Sequence, residues 1–297
     1  MQKKKVNRRD FIKTTGTAAA AGALYFSMPG SVRALQQEKS RVVLIRDENA
    51  VDELYKADRE VTKRIFDDAI RRLTGEDDIQ TAWKKIIRPG DVVGVKSNEW
   101  RHIHTPEVLE DAIRERVLEV GVDEENFSID DRGLLRNRVF LNATALINVR
   151  PMRTHHWAGL GTCLKNPIMF DPQPSRYHPD TCADLAKLWQ LPLLKGKVRL
   201  NILVMYTPLF HGIGPHHFSP EYVWAYKGLL VGFDPVAVDA VGCKIIEAKR
   251  REFFGEERPI NPPPKHIELA DTRHHLGNAG MDKIELIKVG WEKDRLI

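Results

Sequence analysis

The sequence is poor in cysteine, which excludes the common cysteine-based cofactor sites. Its three cysteines in 297 residues are Cys163, Cys182 and Cys243. None of them has the Cys-x-x-Cys spacing of zinc ribbons or ferredoxin-type clusters, so an iron–sulfur cluster is not supported. One disulfide would suit an oxidising compartment, but the spacing does not tell which pair would form it.

The short motifs of several large enzyme classes are also missing. The chain has no Walker-type phosphate loop, no Gly-x-Gly-x-x-Gly after the first predicted strand, no Gly-x-Ser-x-Gly and no His-Glu-x-x-His. These absences argue against ordinary nucleotide-binding enzymes, serine hydrolases and zincins. Outside the N-terminal region, no segment has the roughly 18 uncharged apolar residues that a transmembrane helix needs.

The N-terminal region has the pattern of an export signal. The pair Arg8-Arg9 is followed by Phe11-Ile12-Lys13 and then by a weakly hydrophobic, alanine-rich run. Small residues near Ala34 suit a signal peptidase. The region resembles a twin-arginine signal, which is an address read by a receptor rather than a membrane anchor. A cytosolic helix that happens to carry two arginines would not explain the order of these features.

This resemblance implies that residues 1–34 are a signal peptide and that the mature chain begins near Leu35. The protein would cross by the twin-arginine translocase in a folded state, often with a cofactor already bound, and would work in the periplasm or another extracytoplasmic space without a membrane anchor. The leader carries seven basic side chains and one acidic one, so the whole-chain charge of +5 leaves residues 35–297 near −1. The basic isoelectric point therefore gives no case for a nucleic-acid partner.

Residues 35–297 alternate between short apolar runs and amphipathic segments, which is typical of an α/β domain. Thr105 and Pro106 are expected to begin one helix as N-cap and first helical residue, and Asp234 is expected to cap another. We predict a single domain with a mostly parallel, Rossmann-like sheet and helices on both faces. The predicted strands are 41–46, 91–96, 127–130, 145–149, 198–206, 228–233 and 284–289, and the predicted helices are 58–73, 105–120, the helix after Asp234, and 267–275.

Polar segments follow five of the predicted strands. They are 96–98, 130–131, 150–156, 207–217 and Asp234. The carboxyl ends of parallel strands share one edge of a sheet, where ligands bind in the crevice. If these strands are parallel neighbours, the five segments converge on one site.

The densest of these clusters runs from Arg153 to Asn166 and contains two histidines, two cations, an amide and a thiol. Histidine can act as ligand, acid or base, and lysine and arginine suit carboxylate or phosphate. The structural alternative is a loop that only covers the sheet. A second cluster at 211–217 has three histidines, and His102 with His104 adds another pair of candidate ligands or bases.

Several blocks of the chain resemble the domain of unknown function 362, over roughly residues 90–290. Many members of that family look like iron–sulfur proteins because of appended ferredoxin cysteines, which this chain lacks, and the family lends no settled reaction. The blocks are Lys96-Ser97-Asn98, His104-Thr105-Pro106, Arg153-Thr154-His155, Thr162 with Lys165-Asn166, 212–215 and 232–239.

A shorter stretch is similar to lactate racemase-like proteins. It runs from His155 to Leu160 and is followed by Lys165. That resemblance implies a nickel-pincer cofactor held covalently by Lys165, with His155 transferring a proton and His178 ligating nickel. Gly161, Thr162 and Cys163 replace that family's usual Ser-Gly-Gly.

We therefore expect an exported enzyme of unknown substrate, for example an isomerase or an oxidoreductase. Its metal- or cofactor-assisted site would bind a small anionic ligand. The alternatives are a non-catalytic periplasmic binding protein for an anionic metabolite or metal, and a nickel-pincer racemase or epimerase. The expected catalytic residues are His155, Lys165 and His104. The expected ligand-binding residues are Lys96, Asn98, Arg153, Thr162, Asn166, Gly214, Asp234 and Asp239. The candidate metal ligands are His155, His178, His211 and Cys163.

Overall fold

A mixed eight-stranded sheet organises this protein, whose computed structural model describes residues 39–212, 214 and 217–297. The predicted signal peptide lies outside the described residues, as do Ile213, Pro215 and His216 of the histidine-rich loop. Within the described residues, no helix is long and apolar enough to cross a membrane.

The eight strands are β1 Ser40–Arg46, β2 Val93–Lys96, β3 Phe127–Asp130, β4 Ala145–His155, β5 Gly159–Gly161, β6 Val198–Leu209, β7 Gly228–Gly232 and β8 Ile284–Gly290. They follow the order β3-β2-β4-β6-β7-β1-β8 in the sheet, and β5 pairs with β4 alone. Neighbouring strands are parallel except at β7, which is antiparallel to β1 and β6, and at β5, which is antiparallel to β4.

The connections contain seven α-helical segments and several 3₁₀ turns among the described residues. The α-helical segments are α1 Arg59–Thr74, α2 Ile79–Lys84, α3 Glu107–Glu119, α4 Arg138–Asn142, α5 Pro179–Cys182, α6 Pro235–Phe254 and α7 His266–Thr272. The 3₁₀ turns are Glu124–Asn126, Leu134–Arg136, Asn166–Phe170, Pro174–Tyr177, Leu185–Gln190, Pro220–Tyr222 and Met281–Lys283.

Hydrophobic side chains alternate between the two faces of the sheet, as the period of a strand requires. Leu146 and Met152 of β4 pack with α4, α6 and α7 on one face. Ile147 and Val149 pack with α1, α2 and α3 on the other. The sheet is therefore buried on both sides, and any polar side chain on its central strands is enclosed.

The predicted α/β domain with a mostly parallel sheet and helices on both faces is confirmed. The strand order differs from that of a Rossmann sheet, because β1 lies between β7 and β8 instead of beside β2. Strand β4 also extends to His155, beyond the predicted end at residue 149, because β5 pairs back onto its last three residues.

The predicted start of α3 is wrong by one position. Pro106 occupies the N-cap and makes no side-chain cap. The hydroxyl of Thr105 instead accepts a hydrogen bond from the backbone N–H of Asn98 at 3.2 Å. Asp234 does cap α6, accepting from the N–H groups of Val236 and Ala237. The short helices α2 and α4 were not predicted, since neither is long enough to show a helical period.

Replacing Leu203 with alanine tests the packing of α6 on the sheet. Leu203 is fully buried, and a Cβ at Gly242 of α6 would lie 2.6 Å from its Cδ2 atom. We expect Leu203→Ala to lower the free energy of unfolding by about 2–5 kcal/mol in urea titrations, because a cavity would remain. The control Leu54→Ala removes a side chain that is 89% exposed and should change it by less than about 0.5 kcal/mol. Equal losses would contradict this packing.

Candidate functional site

A row of polar side chains lies on one face of the central strands. Lys96 of β2, Asn148 and Arg150 of β4, and Asn201 of β6 are all buried. Asn148 and Arg150 share the strand face of Leu146 and Met152, which packs under α4 and α6. Since polar groups on such a face are cut off from water, each of them needs a partner inside the protein.

The return from β4 covers this row. Strand β5 reverses the chain, and the following turn brings Asn166 onto the sheet. The Asn166 side-chain amide donates to the carbonyl oxygens of Lys96 and Val149 at 3.0 and 2.9 Å and to Asn148 Oδ1 at 2.8 Å. Asn166 therefore fixes the covering turn to β2 and β4 together.

Asp239 of α6 holds the same turn from the other side. Its carboxylate accepts hydrogen bonds from the backbone N–H groups of Cys163 and Leu164 at 2.9 and 2.8 Å and from the Thr162 hydroxyl. Burial raises the pKa of Asp239 to about 7, although these donors favour the ionised form. The predicted rim role of Asp239 is thus a positional one: it orders residues 162–164.

Lys96 is the one cation of the row that forms an ion pair. Its Nζ lies 2.5 Å from Asp131 Oδ1 and donates to the Ser97 carbonyl at 2.6 Å. Burial lowers the pKa of Lys96 to about 8. Burial opposes ionisation of Asp131 as well, but the adjacent ammonium holds the pKa of that carboxyl below its usual range. Both groups are therefore charged at neutral pH.

Arg150 and Arg153 have no such partner. Arg150 donates to Asn166 Oδ1 at 3.3 Å, and Arg153 donates to Asn98 Oδ1 at 2.9 Å and to one backbone carbonyl. The Arg153 guanidinium also lies 4.6 Å from the ring centroid of Trp100. Within the described residues the Nε atom of each arginine is buried without a hydrogen-bond partner, and neither arginine pairs with a carboxylate. Burial lowers the pKa of Arg150 to about 10, and burial with the charge of Arg150 lowers the pKa of Arg153 well below its usual range.

Lys165 is the fourth buried cation of this site, after Lys96, Arg150 and Arg153, and 3% of its surface is exposed. Its Nζ lies 3.8 Å from the Sγ of Cys182. Burial raises the pKa of that thiol, which keeps it neutral. Burial lowers the pKa of Lys165 to about 8; Cys182 opposes this shift, and the charge of Arg150 adds to it. Lys165 therefore loses its proton as the pH rises through about 8.

His155 stands at the end of β4 beside these cations. Its Nδ1 accepts a hydrogen bond from the Trp157 N–H at 3.2 Å, and its ring stacks on His156 with centroids 4.6 Å apart. Burial, followed by the charges of Lys165 and Arg150, lowers the pKa of His155 far below its usual range. The imidazole is neutral, and because Nδ1 accepts this hydrogen bond, its proton lies on Nε2, which is a donor.

Trp157 and His178 form the exposed rim of this site. Trp157 is 45% exposed, and its ring centroid lies 3.7 Å from that of His178. Burial and the charge of Lys165 lower the pKa of His178 to about 4. The charge of Lys165 also lowers the pKa of His155, and the rings of His155 and His178 both lie beside Trp157, with centroids 6.1 and 3.7 Å from its ring.

His266, the first residue of α7, is a further member that the sequence did not identify. It is fully buried, and neither ring nitrogen has a hydrogen-bond partner among the described residues. Burial and the charges of Lys165 and Arg150 lower its pKa to about 3. A lone histidine after three prolines gives no motif. The only signal is Gly159, whose missing side chain lets the Pro262 carbonyl approach β5.

Asp234 does not join the site, so the prediction that it lines the same edge is wrong. Because β7 is antiparallel to β6, it ends at the edge opposite to the ends of β2, β4 and β6. Asp234 caps α6 and accepts hydrogen bonds from the Ser40 hydroxyl at 2.6 Å and the Asn278 N–H at 2.8 Å. These contacts account for Asp234 structurally.

The side chain of His211 is engaged elsewhere. Its Nδ1 lies 2.8 Å from an Arg250 nitrogen, and its ring packs edge-on against Tyr222 and Phe254. Only its backbone carbonyl reaches β4, where the Thr154 hydroxyl donates to it at 3.2 Å. Gly214, with φ +64°, lies against the Thr154 carbonyl, where a Cβ would collide. The glycine of this loop, rather than its histidine side chain, is therefore next to the site.

His104 lies on the other face of the sheet. It lines a cavity of about 570 Å³ together with Pro151, Tyr206 and Phe218. Pro151 and Tyr206 project opposite to Arg150, on the side of α1 and α3. His104 is exposed, and it is separated by β4 from the cluster of Arg150 and Lys165.

The candidate metal ligands do not form a metal-binding group. In the described segments, no three His, Cys, Asp or Glu side chains are arranged to hold a metal ion. Cys163 is buried, and burial with the nearby Asp239 raises the pKa of its thiol. A metal site made of His155, His178, His211 and Cys163 stays a prediction without support from the arrangement of these residues.

The buried His266 should make the protein sensitive to acid. Its pKa is about 3 in the folded state against an ordinary 6.5, so between these values the unfolded chain binds more protons and stability falls as the pH falls. We expect His266→Phe to lose about 2 kcal/mol less of its free energy of unfolding than the parent protein between pH 7 and pH 5. His155 and His178 act in the same direction but are common to both proteins. Urea titrations at pH 7 and pH 5 measure the loss in free energy of unfolding, and an equal loss in the parent protein and in His266→Phe would contradict this account.

Comparisons with known proteins agree with two of the sequence resemblances. The model of a domain of unknown function, DUF362, matches residues 102–244, which include Arg150, Arg153, His155 and Lys165. The model of the TAT (twin-arginine translocation) pathway signal sequence matches residues 5–25. No curated protein and no solved structure matches the chain. The twin-arginine signal sequence shows that the protein is exported to the periplasm or another extracytoplasmic space, and residues 102–244 behind it are similar to the DUF362 domain.

Proposed function

We propose that the exported domain binds a small organic anion at Arg150, Arg153 and Lys165. The observation that supports this most directly is the pair of buried guanidinium groups whose Nε atoms lack partners among the described residues. Transferring an unpaired charge from water into a protein interior is costly, and buried charges are ordinarily paired. An anion between these cations would relieve that cost.

The chain satisfies its other buried arginines differently. Arg46 donates to three backbone carbonyls and stacks on two aromatic rings. Arg250 donates to three further carbonyls at 2.8–3.0 Å. Among the described residues, Arg150 in contrast makes one hydrogen bond, to an amide oxygen at 3.3 Å. The contrast supports a ligand-binding role for Arg150 and a structural role for Arg46 and Arg250.

The balance of charge favours a carboxylate or phosphate. The site holds four buried cations against two buried carboxylates. Asp131 is paired with Lys96, and Asp239, with a pKa of about 7, is partly protonated at neutral pH. The planar fork of a guanidinium matches a carboxylate in a bidentate way. A small carboxylate held by Arg150 and Arg153 would place the rest of its carbon chain near Lys165 and His155.

The neutral imidazole of His155 supports an enzyme over a passive binder. A general base must be unprotonated at the working pH and still basic enough to take a proton. In this proposal the bound anion offsets the charges of Lys165 and Arg150 that lower the pKa of His155. His155 then accepts a proton at Nδ1, in place of the hydrogen bond from the Trp157 N–H. A periplasmic binding protein would use the same cations, and proton exchange at the bound ligand would distinguish the two.

A nickel-pincer racemase is a second candidate, favoured by one observation. The rings of His155 and His178 both lie beside Trp157, and the charge of Lys165 lowers the pKa of both histidines, which supports a shared site for the three residues that this resemblance requires. The cofactor would supply the metal, Lys165 would hold it and His155 would exchange a proton. The intact mass of protein taken from its native host decides: an adduct on Lys165 supports this candidate, and an unmodified Lys165 removes it.

Two arginine variants test the anion site by opposite effects. Arg150→Met should weaken binding of pyruvate, lactate or phosphate about 10- to 100-fold in calorimetry, because charge-assisted hydrogen bonds are lost. The same change should leave the free energy of unfolding without ligand unaltered or higher by about 1–4 kcal/mol, because an unpaired buried charge is removed.

The matched control is Arg250→Met. It leaves backbone carbonyls without donors and should lower the free energy of unfolding by about 1–3 kcal/mol, while anion affinity stays unchanged. If Arg150→Met destabilises the protein as much as Arg250→Met and leaves affinity unchanged, Arg150 is a structural residue and the proposal fails.

If the protein binds lactate, a second measurement distinguishes an enzyme from a passive binder. An enzyme that exchanges the α-proton should release the α-deuterium of labelled lactate into water, and a binder should retain it.

A further inference from the structure

The environment of Lys165 differs from that of the other buried lysine. Lys96 is held in an ion pair with Asp131. Lys165 Nζ lies 3.8 Å from a neutral thiol, and it pairs with no carboxylate in the described part of the chain. Burial lowers the pKa of both lysines to about 8. The Lys165 amine is the more available of the two for attack on a carbonyl, because its unprotonated form does not have to leave an ion pair.

We propose that Lys165 forms an imine with a small 2-oxo acid whose carboxylate lies on Arg150 and Arg153. This inference rests on the anion site proposed above and specifies its ligand: the carbonyl carbon must be bonded directly to the anionic group. Arg150 donates to Asn166 Oδ1 at 3.3 Å, and Asn166 follows Lys165 in the chain. Arg153 donates to Asn98, which donates to the same Asn166 oxygen at 3.5 Å, so both guanidinium groups lie close to this turn.

The bond changes balance without an oxidant or reductant. The neutral Lys165 amine adds to the carbonyl carbon, and the nitrogen loses a proton while the carbonyl oxygen gains one. A second proton transfer from nitrogen to the hydroxyl releases water and leaves a carbon–nitrogen double bond. His155 is neutral and carries its proton on Nε2, because Nδ1 accepts from the Trp157 N–H. Nε2–H can therefore give a proton to the oxygen and be protonated again from the nitrogen. The carboxylate meanwhile neutralises the arginines beside the reacting carbon.

The arginines give the reaction its selectivity. An uncharged aldehyde reaches the same amine but leaves Arg150 and Arg153 without a counter-charge. A saturated carboxylate such as acetate pairs with the arginines but offers no carbonyl to Lys165. A 2-oxo acid meets both requirements, so pyruvate should react faster than acetaldehyde, and acetate should compete with it.

Borohydride trapping of the mature, folded protein tests this. Incubation with pyruvate and sodium borohydride should add one reduced pyruvate, as a secondary amine, and peptide mapping should place it on Lys165. Acetaldehyde should label Lys165 more slowly. Labelling should rise as the pH rises through about 8, where Lys165 loses its proton, and Lys165→Met should abolish it.

Matched lysines serve as controls within the same spectra. Lys96 is equally buried but paired with Asp131, and Lys187 is exposed on the surface. Neither should be labelled selectively by pyruvate. Arg150→Met retains Lys165 and should lose the preference for pyruvate over acetaldehyde, which covers the case that Lys165→Met fails to fold.

The outcomes separate this inference from the function on which it rests. Pyruvate that binds in calorimetry but leaves Lys165 unmodified after borohydride overturns the imine and leaves the anion site intact. Labelling of Lys187 and Lys165 at equal rates also overturns it. If no small carboxylate or phosphate binds at all, the anion site itself is wrong.

Discussion

Positive charge buried without a matching negative charge is the constraint on which this molecule depends. Arg150, Arg153 and Lys165 lie inside the protein, and the buried carboxylate of Asp131 is already paired with Lys96. A structure selected for stability alone would replace such groups with apolar ones, since buried charges rarely repay their desolvation. We propose that the folded chain accepts this loss of stability because these groups bind an anion.

The fold creates this charge excess through one long strand. β4 runs from Ala145 to His155 and presents Asn148 and Arg150 to one face. The apolar side chains of Ile147 and Val149, which alternate with them, face α1 to α3. The chain then doubles back through β5, and Asn166 with Asp239 fixes the covering turn over the polar row. The cover excludes water, which strengthens every electrostatic effect beneath it and explains why the imidazoles nearby stay neutral.

Much of the fold could be predicted from the sequence, because apolar periodicity marks elements that are buried on one or both faces. The cluster from Arg153 to Asn166 could also be found, since its polar residues lie close together in the chain. The direction of β7 could not: an apolar run reads the same whichever way it pairs, so Asp234 was assigned to the wrong edge. His266 was missed for a related reason. Its importance comes from burial beside Lys165 and Arg150, which spacing along the chain does not encode. His211 was an error of the opposite kind, since its loop reaches β4 while its ring turns towards Arg250.

The central claim is that an anion from outside the chain completes the charge balance around Arg150 and Arg153. A crystal structure of the exported protein, isolated from its native compartment and grown without added carboxylate or phosphate, tests this most directly. We predict electron density for a small carboxylate or phosphate within hydrogen-bond distance of both guanidinium groups. Density showing an aspartate or glutamate side chain of this chain paired with those arginines instead would contradict the account.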